Sequence, residues 1–186
     1  MRVVGIDPGS LVTGWGVIES GIHGAEQGPY ANETRYLESG RIITPRRESI
    51  HKRLKHLHLE VTKVLAQWSP NAVSLEKVFI ANNPQSALRL GEARGVILLA
   101  VAQFGIDLYE YSPAEVKTTI TGYGRASKEE VQRMISHLLG YQNFLPEDEA
   151  DALGAALSCL YRSSFEAALK RSEHKASAIP RRSCAR

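Results

Sequence analysis

At 186 residues, 43% hydrophobic and 23% charged, the chain has the length of one compact domain and can bury a full core. Its two cysteines, Cys159 and Cys184, are too few for a disulfide framework. No apolar run reaches about 18 residues, and no charged-then-apolar leader is visible, so a soluble, cytoplasmic protein with no membrane partner is expected. A net charge of +3 does not by itself mark a nucleic-acid-binding chain.

Arg2–Asp7 is a β-branched run that ends at the turn signal Pro8-Gly9. Residues 13–19 and 40–44 read as the second and third strands. No helical pattern separates the three, so an antiparallel meander is expected, with residues 20–35 as a long polar hairpin loop. Over residues 48–68 the period becomes helical, placing Ile50, Leu54, Leu57, Val61, Val64, Leu65 and Trp68 on one face. Ala72–Glu76 returns to strand. Asn83 before Pro84 is a helix start, the helix running to Phe104, and residues 105–110 form the fifth strand. Ser112 with Glu115, and Ser127 with Glu130, each spell a capping box that opens a helix. A last helix starts near Pro146 and fades after Arg162.

Beyond it, six Lys/Arg against two glutamates give residues 163–186 a charge of +4 and leave −1 on residues 1–162. The expected organisation is therefore one folded domain over 1–162 and a flexible basic tail over 163–186. Three antiparallel strands, then helices alternating with strands added in parallel by right-handed crossovers, give an α/β fold. Its mixed five-stranded sheet, flanked by helices, has the element order of the ribonuclease-H-like fold.

Asp7 and Glu76 each end a strand, where open α/β sheets place their ligands. Asp7 also suits a turn before Pro-Gly. For Glu76 the apolar continuation Val78-Phe79-Ile80 argues against a merely solvated position. The third acidic piece is Pro146-Glu-Asp-Glu-Ala-Asp151. Acids in the first turn of a helix commonly just complement its dipole, at about 0.3–1 kcal/mol each, which accounts for Glu147 and Glu149. Asp148 and Asp151 differ. They share a face whose continuation is Ala155, Ser158 and Cys159, small residues that would let the helix press against the sheet and bring both carboxylates to the strand ends. Leu153, Leu157 and Leu160 lie opposite, so this helix is expected to be buried on two faces.

Four converging carboxylates without His or Cys suit a hard cation, Mg²⁺ with Mn²⁺ able to substitute, rather than zinc. Two such ions about 3.5–4 Å apart can activate a water and stabilise a leaving oxygen in phosphodiester cleavage. His51, His56 and His58 have no ligand-like spacing and are expected to be solvated. Lys128 sits at the positive end of a helix dipole, mildly unfavourable unless an anion binds there, and Lys117 could reach the same anion. Phe79 is either core or a base-stacking wedge.

The stretches GIDPGSLVTGWGVI from Gly5, LEKVFIANNPQSALRLGEARGV from Leu75, VKTTITGYGRASKEEVQRMI from Val116 and DEADALGAAL from Asp148 together resemble the RuvC family of Holliday-junction resolvases. The resemblance covers most of residues 1–162. It implies an endonuclease that resolves four-way junction DNA by paired symmetric nicks, leaving 5′-phosphate and 3′-hydroxyl ends, in recombination and repair. It further implies Asp7, Glu76, Asp148 and Asp151 as metal-binding catalytic acids and two Mg²⁺ per subunit. Lys117 and Lys128 would be phosphate-contacting lysines, and Phe79 an aromatic that stacks at the junction. A homodimer working with the RuvA-RuvB branch-migration complex is also implied. The small-residue ridge Ala87, Gly91, Gly95 could serve that dimer or pack on the sheet.

Three features depart from the family: a long 20–35 loop, Glu149 where a small residue is usual, and an unmatched tail. The rivals are a RuvC-like RNA-processing nuclease and a catalytically silent junction-binding module. An actin-like or sugar-kinase-like ATPase is not expected, because it needs two such domains and a second nucleotide motif.

Overall fold

The structure, a computed structural model, describes residues 1–21, 34–77, 83–143 and 145–177. Five strands form one sheet in the order β3-β2-β1-β4-β5, from β1 (Arg2–Asp7), β2 (Val12–Ser20), β3 (Thr34–Ile43), β4 (Ala72–Glu76) and β5 (Asp107–Tyr111). The first three pair antiparallel, and β4 and β5 extend the sheet in parallel from β1. The mixed sheet is thus the expected one. Because β3 also runs parallel to β1, the carboxyl ends of β1, β3, β4 and β5 share one edge.

Side chains alternate across this sheet and sort the core into two layers. Val4 and Ile6 of β1 with Val73 and Leu75 of β4 face α1 (Ile50–Trp68) and α2 (Pro84–Phe104), meeting Leu57, Val61, Leu65, Ala93 and Ile97. Val3 and Ala72 face the other side, against Leu153, Ala156, Leu157 and Leu160 of α5 (Glu147–Ser177). Two shorter helices complete that layer, α3 (Pro113–Thr121) and α4 (Lys128–Leu138), through Val116, Ile120, Val131 and Ile135. Both open on the capping boxes read from the sequence.

Residues 152–160 of α5 are buried all round, more completely than the two expected faces. Each fully buried leucine there stabilises the fold by about 1.5–3 kcal/mol. What lets the helix come so close is glycine on the sheet. A Cβ at Gly5 would lie 1.9 Å from the Ala152 carbonyl oxygen, and one at Gly14 1.9 Å from that of Asp148.

Three boundaries differ from expectation. β3 begins at Thr34 rather than near Gly40, because the long β2 carries it; a register shift between Val17 and Ile18 breaks its alternation. Gly105 is not in β5 but ends α2 in the left-handed region, at φ 63°. α5 does not fade after Arg162 but continues to Ser177. The ridge on α2 also does not pack on the sheet: Gly91 and Gly95 are exposed, and a Cβ at either would meet nothing. Among the described residues Cys159 is a free, buried thiol, and no helix is long and apolar enough to cross a membrane.

Candidate active site

The last residues of β1 and β4 are neighbours, since Ile6 pairs with Leu75 one step earlier. That puts Asp7 and Glu76 side by side on the face towards α5, and the first turns of α5 bring Asp151 over them. Ligand oxygens of Asp7, Glu76 and Asp151 all lie within 4.8 Å of one another. Asp148 is not part of this tight trio. Its backbone is seated on Gly14, and its charge repels both Asp7 and Asp151.

The anchorage of α5 is polar as well as apolar. Ser74, fully buried on β4, donates to the Ala155 carbonyl at 2.7 Å. Glu149 points to β3, accepting from Ser39 Oγ at 2.5 Å with Arg41 Nε 3.7 Å away. Glu149 is therefore a strut that holds the helix start to the sheet, and it stands apart from the trio. Sequence reading missed Gly5, Gly14, Ser39, Arg41 and Ser74. Only the glycines left a signal, as Gly14 and Gly16 alternate on one face of β2.

Close, partly buried carboxylates cannot all stay ionised without a cation. Burial first, then repulsion from Glu76, Asp151 and Asp148, pushes Asp7 up to about 8. Burial and the Asp151 charge push Glu76 up to about 7, against the lowering effects of its hydrogen bond with Asp7 and of Lys128. Burial also raises Asp151, opposed by its contact with Lys128. Lys128 Nζ sits 3.0 Å from Asp151 and also contacts Glu147. Burial alone would lower its pKa, but these two carboxylates hold it above its usual value. The anion expected at this helix start is thus supplied within the chain. Lys117 donates to the Ala126 carbonyl at 2.8 Å, bracing the loop that leads to Lys128. Phe79 lies outside the described residues.

The donor set is all carboxylate oxygen, with Lys128 the one cation in contact with it among the described residues, which fits a hard divalent cation rather than a soft one. The trio is half-buried at the carboxyl edge of the sheet. A concavity of about 680 Å³ lies between α3 and α5, lined by Ala114, Thr118, Tyr161 and Phe165 among others, and contains none of the four acids. An acidic cluster on an open sheet edge can reach a polymer.

The raised values predict a pH-dependent fold. Asp7 holds its proton more tightly folded than unfolded, so its contribution to stability is complete below its ordinary 3.8 and is lost as pH rises through about 8. In chelator, the melting temperature should fall as pH is raised across that window, and Asp7→Asn should flatten the decline. A wild-type melting temperature that stays level would mean the acids do not crowd one another.

A mixed sheet of this order, with acids gathered at its carboxyl edge beneath a final helix, defines a nuclease of ribonuclease-H-like fold. Residues 3–159 match the family model for crossover junction endodeoxyribonuclease RuvC. A relative of that description from Caldicellulosiruptor saccharolyticus is 41% identical over 165 residues, 88% of this chain and 95% of its own. The Thermus thermophilus RuvC structure superposes with a TM-score of 0.79 at 33% identity, covering 89% of this chain and 97% of that one. T. thermophilus RuvC in complex with Holliday junction substrate gives 0.78 at 30% identity, covering 89% and 96%. The chain belongs to the RuvC family of crossover junction endodeoxyribonucleases.

Proposed function

We propose that this protein resolves four-way DNA junctions by paired nicks, with Asp7, Glu76, Asp148 and Asp151 as its catalytic acids. The observation that carries the reading is the convergence of Asp7, Glu76 and Asp151 within 4.8 Å on an open edge in a chain of this family. The trio would hold one Mg²⁺, and Asp7 with Asp148 a second, Mn²⁺ substituting. When bound, such ions lower the pKa of a water and stabilise the leaving oxygen. The residues around them do the rest. Ser74 and the seat on Gly14 fix α5 so that Asp148 and Asp151 face the strand ends. Lys128, already beside Asp151, is placed to meet the scissile phosphate as the acids turn to their cations, and Lys117 holds the loop that carries it. Phe79, close in sequence to Glu76, would stack on an unpaired base. The products would carry 5′-phosphate and 3′-hydroxyl ends.

A junction with two-fold pseudo-symmetry calls for a C₂ dimer. The α2 face that bears Gly91 and Gly95, flanked by Leu88 at 63% exposure and Leu99 at 53%, supports a homodimer formed there. The protein would act in the cytoplasm, after the RuvA-RuvB complex has moved the branch point.

The test is to incubate the protein with labelled four-way and linear DNA, with and without Mg²⁺, and map the nicks. Symmetric, Mg²⁺-dependent nicks confined to the junction are expected. Binding without any nick would make it a silent junction-binding module, and preferential cleavage of RNA would favour RNA processing.

A further inference from the structure

The turn between β3 and α1 carries two cations that nothing in the described protein neutralises. Arg46 and Arg47 are exposed and make no hydrogen bond or ion pair with any described residue. The neighbouring charges are all engaged. Glu48 pairs with Lys52 at 3.0 Å, Arg53 donates to the Ser10 carbonyl, and Arg41 lies against Glu149.

This turn is tied to the segment that carries Asp7. Thr44 donates its backbone N–H to the Leu11 carbonyl at 2.9 Å, and its hydroxyl to the carbonyls of Ser10 and Leu11 at 3.2 Å each. Ser10 follows Asp7 by three residues. The register Asp7–Gly14–Arg41 places β3 two strands from β1, about 10 Å sideways. Since β3 runs parallel to β1, residues 44–49 rise from the same edge as the acids.

Electrostatics says what such a turn is for. A polyanion approaching the acid cluster is repelled by it, and residues 1–162 as a whole carry −1. Cations must therefore flank the cluster within about a Debye length, 8–10 Å, or a little beyond. Lys128 does so on the α4 side. On the β3 side the turn is the local source, and α1 adds to it, having no acid in its first turn and no side-chain cap at Ser49.

We infer that Arg46 and Arg47 bind backbone phosphates of the duplex arm that leaves the acid cluster over β3. The site rests on the proposed junction-nuclease reading. Its ligand is a phosphodiester backbone without regard to base sequence. From Asp7 to Ser10 and from Thr44 to Arg46 is five residues of chain, at most about 18 Å extended. The Ser10–Thr44 contact and the length of an arginine side chain add roughly 10 Å, so that at a rise of about 3.4 Å per nucleotide the phosphates held lie within roughly eight nucleotides of the cut.

The test uses the full chain and a labelled four-way junction without divalent cation, titrated at several salt concentrations. Each phosphate contact contributes about −0.9 to the slope of log affinity against log salt. Arg46→Ala with Arg47→Ala should therefore flatten the slope by about 1.8, so that the deficit against wild type grows about 12-fold between 200 and 50 mM salt. Arg46→Lys with Arg47→Lys should restore the slope, and the melting temperature should not change in either variant. With Mg²⁺ added, nick positions should be those of the wild type. An unchanged slope overturns the inference and leaves an acidic protein as the partner of the turn. If the wild type neither binds nor nicks the junction, the underlying reading falls and takes this one with it.

Discussion

Asp7→Asn should abolish nicking while leaving junction binding intact. Asp7 is the acid on which the others converge, repelled by Glu76, Asp151 and Asp148 at once, so it is placed to serve both proposed ions. Asn keeps the shape but removes the charge. Losing several kcal/mol of transition-state charge stabilisation, at 1.36 kcal/mol per tenfold, means a fall of about a thousandfold. Affinity, by contrast, comes mainly from phosphate contacts spread over a wider surface, and one fewer negative charge at the edge should not weaken it. The informative contrast is Glu149→Ala. Glu149 is bound to Ser39 and Arg41, outside the trio, so that variant should keep its activity with a modest loss of stability. Nicking by Asp7→Asn within tenfold of wild type at saturating Mg²⁺ would remove Asp7 from the catalytic set. An inactive Glu149→Ala beside an active Asp148→Ala would mean that the wrong acids of the α5 start were chosen.

What was legible in the sequence was whatever local chemistry dictates. β1 announces itself by a β-branched run, β4 by a short apolar stretch between a helix and a polar break, and α3 and α4 by capping boxes whose two hydrogen bonds each form within four residues. The distinction between Asp151 and Glu149 was legible too, because Ala155 and its small neighbours below Asp151 mark a face that presses on something. The start of β3 was not, because its pairing depends on β2 and the register shift at Val17 hides the alternation. Nor was the tightness of the trio. Asp148 and Asp151 share a face, but how near each comes to Asp7 depends on the seat of α5 on Gly14, a contact between residues more than a hundred positions apart. The partner of Lys128 was hidden in the same way: its helix start asks for an anion, and only packing shows that Glu147 and Asp151 provide it.

That seat suggests the second large effect. Gly14→Ala should cost nicking far more than it costs the fold, and Gly5→Ala should do the reverse. Both substitutions put a methyl 1.9 Å from a carbonyl oxygen of α5, a separation no packed structure tolerates, so the helix must shift. At Gly5 the opposing atoms belong to Ala152 and Ala156, in the part of α5 buried all round. Overpacking there strains the core by about 1–3 kcal/mol or more, which for a chain of this size lowers the melting temperature by about 2–4 °C per kcal/mol. At Gly14 the methyl meets Asp148 itself, at the half-buried start of the helix, where the first turn can tilt away with less loss of packing than residues 152–160. The tilt carries Asp148, and to a lesser degree Asp151, off the edge where Asp7 and Glu76 wait. The measurements are thermal unfolding and junction nicking for each variant. A Gly14→Ala protein that nicks like wild type would mean the start of α5 has room to spare above β2, and that the position of Asp148 does not matter to the chemistry.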